Sequence, residues 1–143
     1  MFKVLETAKF GSIEYSPEDV IEIVGELPGF RHLTRFVLID SAEFEPIRFF
    51  QAVDDPHISF PLIDPKIIRS DYTVPLDKQK QEELGLKTSE EGIVFSIVTL
   101  ANVPEQATAN LFAPIVLNTS NMKASQVLLL NSSYSVEEPL LGE

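Results

Sequence analysis

Ile93-Val94-Phe95-Ser96-Ile97-Val98-Thr99-Leu100 is the stretch whose reading decides the fold. It is rich in β-branched and aromatic residues, which suit a pleated, half-buried surface. Its odd positions are mostly bulky, and its polar members are the small, strand-compatible Ser and Thr. The pattern predicts a strand over Gly92 to Ala101, central in its sheet. Outward from it, short apolar runs recur between turn residues, with ten prolines and six glycines in 143 residues. The further strands expected are Phe2 to Thr7, Val20 to Val24, Phe36 to Asp40, Ile47 to Val53, Ile58 to Ile63, Ile115 to Asn118 and Gln126 to Leu130. Glu22 among apolar neighbours suggests that the Val20 strand turns one face to water and lies nearer an edge. The fold class read from this spacing is mostly β, with one or two short surface helices.

Helix is scarce. Lys78 to Leu84 reads as one short helix, with Asp77 as its N-cap and Gly85 stopping it. Its interior is almost wholly polar, so it should lie on the outside, held by Leu76, Leu84 and Leu86. A second helical turn is expected after Ser16, where Pro17 occupies the first helical position. Gly25-Glu26-Leu27-Pro28-Gly29-Phe30 reads as a turn. No repeat, linker or low-complexity run divides the chain, so residues 1–143 are read as a single domain able to bury about two thirds of its unfolded surface.

Composition narrows the function. There is no cysteine, which removes disulfides and thiolate metal sites and leans toward a reducing compartment. Met1 to Glu6 lacks the apolar core of a secretory signal, and no segment approaches the roughly 20 apolar residues of a membrane span. A cytoplasmic protein is expected. Asp and Glu number 22 against 11 Lys and Arg, a net charge of −11 spread along the chain. Direct nucleic-acid binding is disfavoured, because phosphate recognition requires a basic patch. An acidic surface instead favours encounter with a basic protein, although charge of this kind also simply keeps a protein soluble.

Catalytic patterns are sparse. Asp54-Asp55-Pro56-His57 is the best constellation, since two carboxylates beside an imidazole could hold a metal or orient a base. The same residues are ordinary turn chemistry, and that reading is the stronger. Ser59 lacks the sharp G-x-S-x-G elbow, and neither glycine-rich phosphate loop occurs. Asn118-Thr119-Ser120 and Asn131-Ser132-Ser133 match the glycosylation sequon but read as polar turns. Phe49, Phe50 and Phe60 read as core, since base-stacking platforms carry basic neighbours and here only Arg48 adjoins the pair. No enzyme activity and no cofactor are expected.

Four passages resemble the bacterial flagellar assembly factor FliW family: Gly25 to Phe30 (GELPGF), Arg48 to Pro65 (RFFQAVDDPHISFPLIDP), Ala109 to Asn118 (ANLFAPIVLN) and Gln126 to Leu129 (QVLL). Ala52 and Ser125 stand where the family pattern has Ser and Gly. The resemblance implies a compact β-barrel-like fold and two cytoplasmic protein partners. One is flagellin, held before export. The other is CsrA, an RNA-binding repressor of flagellin translation, which the freed factor would bind and antagonise allosterically. A repressor that grips RNA must be basic, which suits an acidic partner. A switch further requires that the two partners exclude one another, and shared or overlapping surface is the expected means.

The quoted passages fall mainly on apolar strands and turns, so partner contacts are sought in exposed loops beside them. Asp64, Asp71 and Tyr72 after the Phe60 strand form one candidate loop, and Val103 with Glu105 a second. Two rival functions are a barrel enclosing a small molecule and a metal-dependent enzyme built on Asp54, Asp55 and His57.

Overall fold

The computed structural model describes residues 1–140 and is mostly β. Strands β1 (Lys3–Thr7) and β2 (Gly11–Tyr15) form a separate hairpin. The remaining strands are β3 (Ile21–Ile23), β4 (Arg35–Asp40), β5 (Arg48–Ala52), β6 (Ser59–Ile63), β7 (Ile93–Thr99), β8 (Thr108–Ala109), β9 (Ile115–Asn118), β10 (Lys123–Gln126) and β11 (Glu138–Pro139), with one helix, α1 (Lys78–Leu84). Seven of these close a barrel in the order β7, β6, β5, β4, β3, β10, β9 and back to β7. Neighbours are antiparallel except β3 and β10, which run parallel.

Strand β7 is central, as its sequence predicts. One edge pairs with β6, where Leu62 faces Ile97. The other edge pairs first with β9 (Phe95 with Ile115) and then with β8 (Val98 with Ala109). Five residues, 110–114, therefore stand opposite two, Ser96 and Ile97. The extra length is folded into a bulge, as sheets use to bend a strand. Asn110 holds that bulge closed, its Oδ1 accepting from the amides of Phe112 and Ala113 at 3.0 Å each. Gln126 braces it from β10 by donating to the Ala113 carbonyl at 3.0 Å.

Alternation on the barrel strands makes two cores. Inside lie Ile21, Ile23, Phe36, Phe50, Leu62, Phe95 and Ile115, with Phe36 and Phe50 stacked at 4.3 Å between ring centroids. Outside, Val98 and Val116 of the barrel wall pack against Tyr72, Val74, Leu76, Leu84 and Leu86. Helix α1 is held to the surface by the three leucines expected to hold it, all buried. The Asp77 carboxylate accepts from the Lys80 amide at 2.8 Å, and Gly85 ends the helix in the left-handed region at φ 74°. Asn118 and Asn121 both donate to the last helical carbonyl, that of Leu84, at 2.7 and 3.0 Å. Asn118 is thus a buried structural amide.

Several boundaries differ from the sequence reading. The strand expected at Gln126 to Leu130 lies earlier, at Lys123–Gln126, and residues after it leave the barrel while still bonding to the bulge. Strands β2, β8 and β11 were not foreseen; β8 and β11 have only two residues each, too few for any period to register. Strand β3 is interior, between β4 and β10, because closure of the barrel removes the edge that Glu22 had suggested. The turn after Ser16 forms as a single 3₁₀ turn, Pro17–Asp19.

Candidate protein-docking site

The strand registers sort the loops to two ends of the barrel. At one end lie the 24–34 connection, residues 53–57, the 100–107 loop, the bulge and the chain after Gln126. At the other lies Asp64, directly after Ile63, which pairs with Ser96. Asp64 leaves β6 opposite the middle of β7, whereas Val103 and Glu105 follow the end of β7 at Thr99, and the segment that carries Asp71 and Tyr72 returns to the bulge, where Tyr72 bonds the Leu111 carbonyl.

Asp64 is exposed and already engaged, accepting from the Lys66 amide at 3.0 Å where it caps the 3₁₀ turn Pro65–Ile67. Asp71 is exposed with Arg69 at 3.7 Å. Tyr72 corrects the expectation of an exposed ring. It is 1% exposed, packs against Tyr134 at 4.5 Å, and donates its hydroxyl to the Leu111 carbonyl at 2.6 Å. An aromatic side chain in this polar segment is the anchor that fastens the segment to the barrel. Val103 is 45% exposed and Glu105 is exposed, both in the loop after β7.

A site that sequence reasoning missed opens at the first end. A groove of about 320 Å³ is lined by Leu27, Pro28 and Phe30 of the turn, Phe60 and Ile97 of the wall, Asn110, Phe112 and Ala113 of the bulge, and Gln126, Leu128 and Val136. All four passages quoted for the family resemblance contribute lining residues. Phe30 meets Phe60 edge-on at 5.1 Å across its floor. Leu128 and Val136 on its rim are each 55% exposed, and Leu130 beyond them is 73% exposed. Val127-Leu128-Leu129-Leu130 explains part of this: Leu129 is buried in the outer core and Val127 packs against it, so extended backbone sends Leu128 and Leu130 outward. The run of four apolar residues was the available signal, since a strand with one buried face needs only every second one.

Among the described residues, no cationic side chain lines the groove. Glu26 precedes Leu27, and Glu137 with Glu138 follows Val136. Each of the four arginines faces a carboxylate: Arg31 with Glu26 at 3.4 Å, Arg35 with Asp54 at 2.6 Å, Arg48 with Asp40 at 2.5 Å, and Arg69 with Asp71. The guanidinium of Arg35 has its pKa raised by the hydrogen bonds it donates to Asp54 and then by that group's negative charge.

The rival constellations dissolve into structure. Asp54 is taken by Arg35, and Asp55 Oδ1 accepts from the His57 amide at 2.9 Å, which is the turn arrangement. Among the described residues, no group of three or more His, Cys, Asp or Glu could hold a metal ion. The barrel interior is filled by its own side chains, which argues against an enclosed ligand. No helix among the described residues is long and apolar enough to cross a membrane.

Residues 3–140 match the family model described as FliW protein. The chain is 37% identical to the flagellar assembly factor FliW of Caldanaerobacter subterraneus subsp. tengcongensis, over 97% of this chain and 93% of that protein. It is 34% identical to the protein of the same name from Thermotoga maritima, over 94% and 91% of the two chains. A crystal structure of the flagellar assembly factor FliW superposes with a TM-score of 0.91 at 31% identity, covering 99% of each chain.

Proposed function

The chain belongs to the FliW family, and from that premise we propose that it is a non-enzymatic, cytoplasmic assembly factor that holds flagellin before export and, once released, binds CsrA and relieves repression of flagellin translation. The single observation that supports a holding function best is the apolar groove at the barrel mouth, whose Leu128 and Val136 are exposed with no structural reason to be apolar. The net charge of −11 suits a basic RNA-binding repressor as second partner. Antagonism would be allosteric, because CsrA would be engaged away from the surface with which it grips RNA. The groove covers only part of an interface of standard size, about 1,600 Å² in total, so flanking loops would contribute the rest. Val103 and Glu105 belong to the same end of the barrel and are proposed as such flanking contacts. Asp64, after β6, and Asp71, on the segment that Tyr72 fastens to the bulge, are proposed as an electrostatic contact for CsrA.

Co-purification tests the reading. The tagged chain from cells blocked in flagellar export is expected to carry flagellin, and from exporting cells to carry CsrA. Recovery of neither partner under either condition overturns it.

A further inference from the structure

We propose that the open main-chain edge of residues 126–130 takes up an extended segment of a partner protein as an added strand, its alternate apolar side chains turned into the mouth groove and its ends basic. The inference rests on the reading of the chain as a factor that holds proteins, and adds the form in which a partner is held. First, the segment is paired along one edge. The amides of Val127 and Leu129 donate to the carbonyls of Pro114 and Phe112 at 2.9 Å each, which continues the antiparallel pairing of β10 with β9. Extended backbone directs the main-chain groups of Leu128, between them, to the opposite edge. Second, that opposite edge has lost its neighbour. Strand β3 runs beside β10 as far as Ala124, whose carbonyl accepts from the Val24 amide at 2.7 Å, and the chain then turns away at Gly25 with φ 85°. Among the described residues, the amide and carbonyl of Leu128 and the amide of Leu130 have no main-chain partner. Third, the edge is unguarded. Gln126-Val127-Leu128-Leu129-Leu130 carries neither charge nor proline, the devices by which exposed edges ordinarily turn a further strand away. Fourth, a strand laid there would meet two different surfaces: the mouth groove with Leu27, Phe30 and Leu128 on one face, and on the other an outer groove whose lining includes Thr73, Asp77 and Lys80. Main-chain bonds would supply affinity, and the two faces would select apolar and polar residues in alternation. Glu26, Glu137 and Glu138 adjoin lining residues of the mouth groove in the chain. A second copy of this acidic chain would bring like charge to like, whereas a segment ending in Lys or Arg would meet opposite charge.

The test uses a short labelled peptide of alternating Val and Thr between terminal lysines, titrated with the full chain by fluorescence anisotropy. Its counterparts carry Glu in place of Lys, or N-methyl groups on one or the other alternate set of amides. In an added strand only one of those sets faces the edge. The Lys peptide is expected to bind, one methylated set to lower its affinity about tenfold or more, the other set to leave it nearly unchanged, and the Glu peptide to bind more weakly. Leu128→Asp puts a charge on an exposed edge position, so its melting temperature should match the parent's while its affinity for the Lys peptide falls about tenfold or more. Val4→Asp, at an exposed apolar residue of the separate hairpin, should bind as the parent does. Equal effects of the two methylated sets, equal binding of the Lys and Glu peptides, or equal binding by all variants overturns the proposal. The methylated pair requires no protein variant, so it decides the matter even where Leu128→Asp fails to fold. Concentration-dependent dimers abolished by Leu128→Asp would overturn the proposal in favour of a second copy. Capture of flagellin and CsrA by Leu128→Asp at parental level would defeat the edge while leaving the holding function standing, whereas failure of the parent to capture either defeats the function itself.

Discussion

The hydroxyl of Tyr72 reaches 39 positions along the chain to the Leu111 carbonyl, joining the segment before α1 to the bulge beside the groove. Burial pushes its phenol pKa up, and the neighbouring Tyr134 adds to the shift. Tyr72→Phe keeps the ring but removes the donor and leaves a buried carbonyl short of a partner. A loss of about 1–2 kcal/mol is expected by denaturant unfolding. The pH dependence has a definite sign. A free phenol ionises near pH 10, and a raised pKa in the folded state means that folding favours the neutral form. The associated stability is complete below about pH 10 and is lost as pH rises through the raised value. Between pH 8 and 11 the parent should therefore lose more stability than Tyr72→Phe; equal losses would show that the phenol ionises freely in the folded protein.

Helix α1 was legible in the sequence because its signals are local: Asp77 caps it, Gly85 stops it and Leu84 anchors it. The amides that close its C-terminus come from Asn118 and Asn121, more than thirty residues away, and no local pattern announces them. Asn118→Ala should cost about 1–3 kcal/mol, since it removes a buried amide from a helical carbonyl; a melting temperature equal to the parent's would contradict this. The same division explains the strands. Those with runs of Val, Ile and Phe were readable, β9 among them, while β8 and the bulge that joins it to β9 are defined only by their pairing with β7. The groove was hidden for the same reason. Its walls come from four separated passages together with Ile97 and Val136, and only closure of the barrel brings Phe30, Phe60, Phe112 and Leu128 together. Tyr72 was misplaced because its neighbours Asp71 and Thr73 are exposed, and alternation sends only the residue between them inward.

At the scale of the molecule, closure leaves a filled interior, so binding is left to the outside and to the mouth. The two ends differ in character. One carries the apolar groove with carboxylates beside it; the other carries Asp64 after β6 and the capped 3₁₀ turn. The proposed exchange, in which loss of flagellin frees the chain for CsrA, requires the two partners to exclude each other, through shared surface or through a coupling of a few kcal/mol. Calorimetric titration of purified CsrA into the chain already saturated with purified flagellin tests that exchange most directly. The account predicts that CsrA binds the free chain and that its affinity is sharply reduced or lost once flagellin is bound; simultaneous binding of both proteins with unchanged affinities would contradict it.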